Sequence, residues 1–460
     1  MSGCTRFRPY DLDQLLLLPQ SLREWLPDDH LAHFIIDVVG EFPLTKIYRA
    51  YADGSQGGQP PYEPRMMVNL LLYAYCVGMP SSRKIEQATY DQVAFRFLSG
   101  DQHPDHDTIS EFRHRHLKAL AGLFTDVFEL CKKAGLVKLG HVSLDSTKVK
   151  ANASKHKAMS YGRMEKDVDD LQAEVDRLLA LAEETDAAED TQYGKGRRGD
   201  ELPEDLRHKQ PRLQKIRSAM KALEEEALAE YPEKQAEYEA KQKARKKRGG
   251  KGRPPKAPSH KPEAGRQRNF TDPDSRIQPV EGGKSFIQGY SCQAAVDDKA
   301  QIIVAADVTQ DTNDKRQVAP MIERIKASTG GKKPRTFTAD SGYFTEANVQ
   351  TLEKQQIDAY IATEKLKHGE RPPLCPRGRI PKDATVKERM TRKLRTVKGR
   401  CTYSKRKHIP EPVFGQIKEV RAFRQFSFRT LDKARDEWAL VCLTHNILKL
   451  FRSGWAPNPA

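Results

Sequence analysis

The sequence predicts an α/β fold in which a mixed sheet with flanking helices follows a helical N-terminal domain and is interrupted by an inserted helical hairpin. Three observations predict it. Residues 1–135 show helical patterns, and short extended runs alternate with helical runs from residue 270 onward. Between these parts, two long runs carry apolar residues three and four positions apart. The order of these patterns predicts the fold class and the succession of its parts.

Composition favours a nucleic-acid partner. The 460 residues suffice for two or three domains, and the net charge of +16 favours a polyanion. The longest apolar run near the start, residues 15–18, is stopped by Pro19, so it is too short to span a membrane. The seven cysteines form no CxxC pair, which argues against a zinc ribbon or disulfide framework and for a reducing, cytoplasmic environment.

The N-terminal domain, residues 1–135, is predicted to be a set of short helices. One covers residues 65–77, and the next carries the basic pair Arg83 and Lys84 near its start. Thr108 and Glu111 have the spacing of a capping box that would open a long helix. Tight turns and basic residues at a helix start fit a helix-turn-helix-like DNA-binding domain, and they equally fit a small helical bundle.

Four histidines, His103, His106, His114 and His116, lie close together in the same region. No Cys or acidic residue completes a recognisable metal-ligand spacing around them. We therefore expect them to be solvated or to face phosphate rather than to bind a metal.

The first predicted strand contains Asp145. Val142 and Leu144 point to one side of an extended chain, while Asp145 points to the other. A second extended run ends at Asp340, where Gly342 lets the chain turn. Two carboxylates at the ends of two short strands suggest a divalent-metal site, and the alternative is that each Asp merely starts a turn.

Residues 156–269 are predicted to form an insertion. Apolar residues at helical spacing in 168–182 and 213–227 predict an antiparallel pair of helices, separated by a charged stretch at 183–203. Nine basic residues and no acid occur in 241–256, where Gly and Pro should break any helix. This run, which includes Lys246, Lys247 and Arg248, is either a solvated linker or a contact to a phosphate backbone.

Residues 136–155 and 270–455 complete the predicted sheet domain. Alternation at 290–296 and an apolar run at 302–308 predict a hairpin joined to a central strand. A helix, the strand ending at Asp340, a second helix, a short strand at 358–363 and a final helix at 431–451 follow.

This succession is that of the ribonuclease-H-like fold, and the sequence resembles the DDE transposases of bacterial insertion sequences. The resemblance covers nearly the whole chain. It rests on LDSTKVKANAS around Asp145, GYSCQAAVDD with IIVAADVTQDTND, TADSGYF around Asp340, HPDHDTISEFRHRH upstream, and an array that resembles the family's tyrosine-arginine-glutamate-lysine signature. That array consists of Tyr403, Arg406, Glu411 and Lys418. Four residues separate Arg406 from Glu411 where the best-known members have three, so Lys405 or Lys407 could take the arginine's place.

The resemblance implies a site and a reaction. Asp145, Asp340 and Glu411 would be the catalytic acids and would hold two Mg²⁺ ions, with Mn²⁺ as a substitute. Arg406 and Lys418 would clamp phosphates, and Tyr403 or Tyr343 would stack on a base or sugar. A competing third acid is Glu437, which we expect to pair with a neighbouring base instead.

The implied function is cleavage at the ends of an insertion sequence and transfer of the 3′-hydroxyl ends into double-stranded target DNA. Joining two ends in one event implies a homodimer or a higher oligomer, acting in the bacterial cytoplasm at the nucleoid. Two alternatives share the same acids: a ribonuclease-H-like nuclease that only cleaves, and an inactive descendant that retains DNA binding. Asp314 is a further polar residue near the site with no role that it must fill.

Overall fold

The N-terminal part of the chain is helical, as predicted. The computed structural model describes residues 21–51, 61–193, 204–247, 254–280, 285–364, 373, 375–376, 378–381 and 383–457. Besides 3₁₀ turns at Leu22–Trp25 and Arg49–Tyr51, the first part of the chain contains helices α1 (Leu31–Gly40), α2 (Thr45–Tyr48), α3 (Pro64–Cys76), α4 (Ser82–Asp91), α5 (Val93–Leu98) and α6 (His106–Lys133). Pro64 occupies the first turn of α3, where its missing N–H costs nothing.

The capping box predicted at Thr108 and Glu111 is wrong. The N-cap of helix α6 is Asp105, three residues before Thr108, and the helix begins at His106. The Asp105 carboxylate accepts hydrogen bonds from the Thr108 backbone N–H at 2.8 Å and from the Thr108 hydroxyl at 2.7 Å. Asp is a stronger N-cap than Thr, and it lies at the correct spacing to bond the backbone of Thr108.

A six-stranded mixed sheet forms the centre of the molecule. Its strands are β1 (His141–Lys150), β4 (Arg276–Val280), β5 (Ser285–Asp297), β6 (Ile303–Thr309), β7 (Thr336–Ala339) and β8 (Asp358–Ile361), and a separate pair consists of β2 (Ala158–Ser160) and β3 (Gln267–Asn269). Strand β1 pairs antiparallel with β5 and parallel with β7, and β7 pairs parallel with β8. The sequence-predicted mixed sheet is thereby confirmed.

From Gln288 onward the long strand β5 is buried on both faces, so polar residues that alternate with its apolar ones, such as Ser291 and Gln293, also lie inside the protein. Its first half pairs with β4 and its second half with β6, while β1 runs along its other edge. Helices α9 (Val318–Thr329), α10 (Glu346–Lys354) and α14 (Leu431–Arg452) belong to the same part of the chain, and α9 and α14 pack on β6. The Trp438 indole of α14 donates to the Gln293 carbonyl of β5 at 3.0 Å.

Helix α14 also packs along α6, so the helical N-terminal part and the sheet share one hydrophobic cluster. Leu440, Leu443, Ile447 and Leu450 of α14 are fully buried in it. The apolar residues that predicted this helix therefore pack against both α6 and the sheet.

The insertion after β1 consists of two long helices, α7 (Tyr161–Tyr193) and α8 (Glu204–Lys247). They pack through a cluster of their own, made by Tyr161, Met164, Ile216, Ala219 and Leu223. Arg266, just before β3, binds Glu226 and Glu230 of α8 at 2.8 Å each. These ion pairs fasten α8 to the segment that leads into β3. That these helices form a coiled coil stays a prediction.

Both helices extend further than predicted. Helix α7 continues to residue 193, inside the charged stretch predicted to separate the two helices, and α8 continues to Lys247, inside the basic run predicted to be a linker or a phosphate contact. Arg248 lies outside the described residues. No helix in the described ranges is long and apolar enough to cross a membrane.

Between β8 and α14 the chain forms helices α11 (Val386–Arg395), α12 (Val397–Ser404) and α13 (Pro410–Gly415). A 3₁₀ turn, Lys405–His408, joins α12 to α13, and a π-helical turn, Gln416–Val420, follows α13. These elements carry the tyrosine, arginine, glutamate and lysine of the predicted signature.

Candidate active site

The sheet brings Asp145 and Asp340 side by side. Leu144 of β1 is paired with Ala339 of β7, and the two strands are parallel. Asp145 is the next residue of β1 and Asp340 directly follows the end of β7, so the two lie at the same level of adjacent chain segments, and neighbouring strands are about 4.8 Å apart. The Asp340 carboxylate also accepts a hydrogen bond from the Gly342 N–H at 2.8 Å, which turns the chain away from the sheet.

Asp145 is a desolvated carboxylate. Its side chain is 17% exposed and accepts from the Ser146 N–H at 2.9 Å and from Arg406 Nη1 at 2.9 Å. Burial raises the pKa of Asp145 to about 6, and repulsion from Asp340 and Asp314 adds to the rise, although Arg406 opposes it. One guanidinium therefore does not neutralise this group of acids.

Arg406 joins the first and third predicted acids. Its Nη2 atom lies 3.4 Å from Glu411 Oε1, while its Nη1 atom binds Asp145. The Arg406 side chain is 15% exposed, whereas Glu411 is 50% exposed. The buried Nε atom of Arg406 has no hydrogen-bond partner among the described residues, so one donor in the site is left over.

The extra residue between Arg406 and Glu411 is accommodated in the 3₁₀ turn before α13. Of the three adjacent bases, Arg406 faces the acids, and Lys405 and Lys407 are exposed. Arg406 is therefore the base that contacts the acids, and which of the three bases clamps a phosphate stays a prediction.

Asp314 belongs to the same cluster, and sequence reasoning missed the part that it plays. Its carboxylate accepts from the Ser146 hydroxyl at 3.0 Å and from Gln293 Nε2 at 2.6 Å. A Cβ atom built on Gly342 would lie 3.0 Å from Asp340 and 3.7 Å from Asp314, so both carboxylates border the same glycine. The acidic run TQDTND signalled a polar loop, and only the fold carries this loop to the neighbour of Asp145.

Of the remaining signature residues, Tyr403 lies near Asp340 and Asp145, whereas Lys418 lies near Cys292 and Glu419. Tyr403 is half-buried, and burial raises the pKa of its hydroxyl. Lys418 is half-buried as well, and burial lowers the pKa of its ammonium group. Tyr343 is fully buried and donates to Gln293 Oε1, so the prediction that Tyr343 could stack on DNA is wrong.

Glu437, the competing third acid, lies elsewhere. It is fully buried and accepts from the Tyr75 hydroxyl at 3.1 Å and from the Ser427 N–H at 2.9 Å. Within the described part of the chain its hydrogen-bond partners are a tyrosine and the backbone. The neighbouring base is Arg113, whose charge opposes the rise that burial causes in the pKa of Glu437. Glu437 thus links the helical N-terminal part to the segment before α14.

The histidines divide into different environments. His103 stacks on Tyr90, and His106 lies 2.7 Å from a Glu86 oxygen. His116 is buried, 3.2 Å from the Tyr51 hydroxyl, so the expectation of a solvated or phosphate-facing ring is wrong for His116.

Among the described residues, the other predicted DNA-binding residues lie on helices outside the sheet. Arg83 and Lys84 are exposed on α4, which packs on α5 and α6, and Lys246 is exposed near the end of α8, where Lys247 is the last helical residue. Across the described ranges, no hydrogen bond or ion pair joins any of them to the acidic cluster.

The chemistry of the site fits a hard divalent cation. Asp145, Asp340 and Asp314 offer only oxygen donors, and their charge exceeds what Arg406 supplies. As positioned here, no group of three or more His, Cys, Asp or Glu side chains in the described residues is close enough to hold a metal ion. Glu411 instead meets Asp145 through Arg406.

Two stretches of the chain match known protein families. Residues 20–115 match a family described as a transposase domain (DUF772), and residues 256–447 match a family described as a transposase DDE domain. The second match includes Asp340 and Glu411 and begins after the two inserted helices, α7 and α8, that separate them from Asp145. No curated protein and no solved structure matches the chain.

Proposed function

Because the chain is a DDE transposase of the insertion-sequence type, and therefore a DNA transposase enzyme, we propose that it cleaves and joins DNA at the ends of an insertion sequence. It would bind double-stranded DNA at the terminal repeats, cleave there and transfer the freed 3′-hydroxyl ends into target DNA. The DDE domain implies a ribonuclease-H-like fold, and the strand order β6-β5-β1-β7-β8 agrees with it.

One observation carries the proposal: Asp145 and Asp340 lie on adjacent parallel strands, and Arg406 contacts both Asp145 and Glu411. We assign these three acids as the catalytic set and as the residues that would hold two Mg²⁺ ions, with Mn²⁺ as a substitute. When bound, the ions would stabilise the charge that develops on the attacking and leaving oxygens of the phosphodiester.

The basic and aromatic residues of the site would position the DNA. Arg406 would clamp a phosphate oxygen beside the scissile bond with the guanidinium that contacts Asp145 and Glu411. Lys418 would bind a flanking phosphate, and half-buried Tyr403 would stack on a base or sugar. Because both acids that Arg406 contacts are anionic, this arginine also holds them at the site until DNA arrives.

Other parts of the chain would bind DNA away from the chemistry. We assign DNA binding or oligomerisation to residues 1–135, with Arg83 and Lys84 exposed on α4, and phosphate contacts to Lys246, Lys247 and Arg248. Residues 136–155 and 270–455 would form the catalytic domain, and residues 156–269 the insertion. Joining two ends requires at least a homodimer.

The test is an end-joining assay with Asp340→Asn and Glu411→Gln. Each variant is incubated with a pre-cleaved donor end, a plasmid target and Mg²⁺, and DNA binding is measured in parallel. We expect both variants to lose joining and cleavage while they keep binding, because each removes one carboxylate and leaves the basic residues.

The matched control is Glu353→Gln, an exposed acid on α10. It should join ends like the wild-type protein. Cleavage without joining by the wild-type protein would identify a nuclease that only cleaves. Full activity of Asp340→Asn would refute the assignment of the catalytic acids.

A further inference from the structure

The segment that leads into the catalytic helix has an unusual charge. Residues 389–410 contain nine Lys or Arg residues and no Asp or Glu. They cover the end of α11, all of α12 and the 3₁₀ turn before Glu411. Such a density of like charge in an ordered part of the protein requires either internal partners or an external anion.

Three of the nine cations have internal partners. Arg392 donates to the Pro376 carbonyl at 3.1 Å, Lys393 binds Asp358 at 2.6 Å, and Arg406 binds Asp145. These contacts fasten the segment to β8 at one end and to the acids at the other.

Besides Arg389 on α11, four other cations are exposed and make no ion pair in the described part of the chain. Lys398 and Arg400 lie on α12, and Lys405 and Lys407 lie on the following turn. Within the described ranges none of the four makes an ion pair. We call these four residues the basic platform.

The helices that precede and carry the basic platform, α11 and α12, are capped and packed against each other. The Thr385 and Glu388 side chains form a capping box at the start of α11, and Thr396 caps α12 by accepting from the Gly399 N–H at 2.9 Å. A Cβ atom on Gly399 would come within 2.0 Å of the Lys393 carbonyl, so α12 packs directly against the end of α11. The backbone that carries Lys398 and Arg400 is therefore ordered before any ligand binds, which lowers the entropic cost of binding.

We propose that the basic platform binds the phosphate backbone of the DNA duplex that enters the active site. From Lys398 to Lys405 the chain rises about 10 Å along helical turns, roughly three base pairs of duplex. The next residue, Arg406, contacts Asp145, so a duplex on the platform runs directly to the catalytic acids. A backbone contact also suits an enzyme that must accept target DNA of varied sequence.

This inference rests on the proposed function, and salt-dependent binding tests it separately from catalysis. The dissociation constant of a short fluorescein-labelled duplex is measured over a series of NaCl concentrations for the wild-type protein and for Lys398→Gln/Arg400→Gln. Each lost phosphate contact lowers the slope of log K against log salt by about 0.9, so we expect the double variant to lose about 1.8 and to bind more weakly.

The matched control is Lys332→Gln/Lys354→Gln, which removes the same charge from exposed lysines. These lysines precede the N-terminal ends of the parallel strands β7 and β8, whereas Asp340 follows the C-terminal end of β7. The control should keep the wild-type slope, and so should Lys398→Arg/Arg400→Lys, because both charges remain. Circular dichroism verifies that every variant is folded.

The outcomes separate the two proposals. An unchanged slope for Lys398→Gln/Arg400→Gln, with wild-type end joining intact, would overturn the platform and leave the proposed function standing. An equal loss of slope in the control would also overturn it, since binding would then follow net charge alone. A wild-type protein that neither binds duplex DNA nor joins ends would refute both.

Discussion

Replacing Asp145 by Asn should stabilise the metal-free protein while it abolishes DNA joining. The Asp145 side chain is 17% exposed, and burial raises its pKa from 3.8 to about 6 in spite of the bonds from Arg406 and Ser146. The folded protein therefore disfavours the charged form. Asn has nearly the same shape and carries no charge, so it avoids this penalty.

The pKa fixes the sign and the size of the effect. Between about pH 4 and pH 6 the folded state binds more protons than the unfolded state, so the free energy of unfolding falls as pH rises. A rise of about two pKa units corresponds to a destabilisation of the folded protein by about 3 kcal/mol. This destabilisation is fully present above pH 6 and absent below about pH 4. We expect Asp145→Asn to gain up to about 3 kcal/mol near neutral pH and nothing at the acidic end.

Urea unfolding in the presence of EDTA measures the difference at both pH values, and Glu353→Gln serves as the exposed-acid control. The wild-type protein and the control should lose stability as pH rises through this window, and Asp145→Asn should not. An Asp145→Asn variant that is less stable than the wild type near neutral pH would refute the reasoning, as would one with the same pH dependence.

Two further predictions concern the surroundings of this site. Asp314→Asn should reduce end joining and weaken Mg²⁺ binding, which calorimetry without DNA measures. It should also lower stability by about 1 kcal/mol, because the amide cannot accept hydrogen bonds from both Ser146 and Gln293 as the carboxylate does. Unchanged Mg²⁺ affinity would contradict a role at the metal site. Gly289→Ala should destabilise the protein by about 3 kcal/mol in thermal unfolding, because a Cβ there would lie 2.2 Å from the Val149 carbonyl of β1. Gly122→Ala, where nothing lies within 4 Å, should be neutral or slightly stabilising, and equal effects at the two glycines would refute the packing argument.

Most elements could be predicted from the sequence because local periodicity decides them. The two-residue alternation at 290–296 and the steps of three and four in the last helix correspond to β5 and α14. The positions of helix ends are harder to predict from sequence, since several residues offer the same capping chemistry. Thr108 looked like a cap, yet Asp105, three residues earlier, holds the helix start.

The candidate site was predictable only in part. The order of the elements indicated that the strands carrying Asp145 and Asp340 are neighbours, and the register of β1 with β7 confirms that the strands are adjacent. Family resemblance, rather than periodicity, pointed to Glu411 and Arg406. Their assignment as catalytic and DNA-binding residues stays a prediction.

The sequence by itself determined the basic charge, the mixed α/β class and the acids at the strand ends. Only the tertiary structure decided that Tyr343 is buried, that Asp314 lies beside Ser146, and that Arg406 rather than its lysine neighbours faces the acids. The physical reason is that burial and charge pairing depend on segments that lie from 50 to 261 residues apart in the chain. A local pattern constrains the direction of a side chain but not the group that it meets.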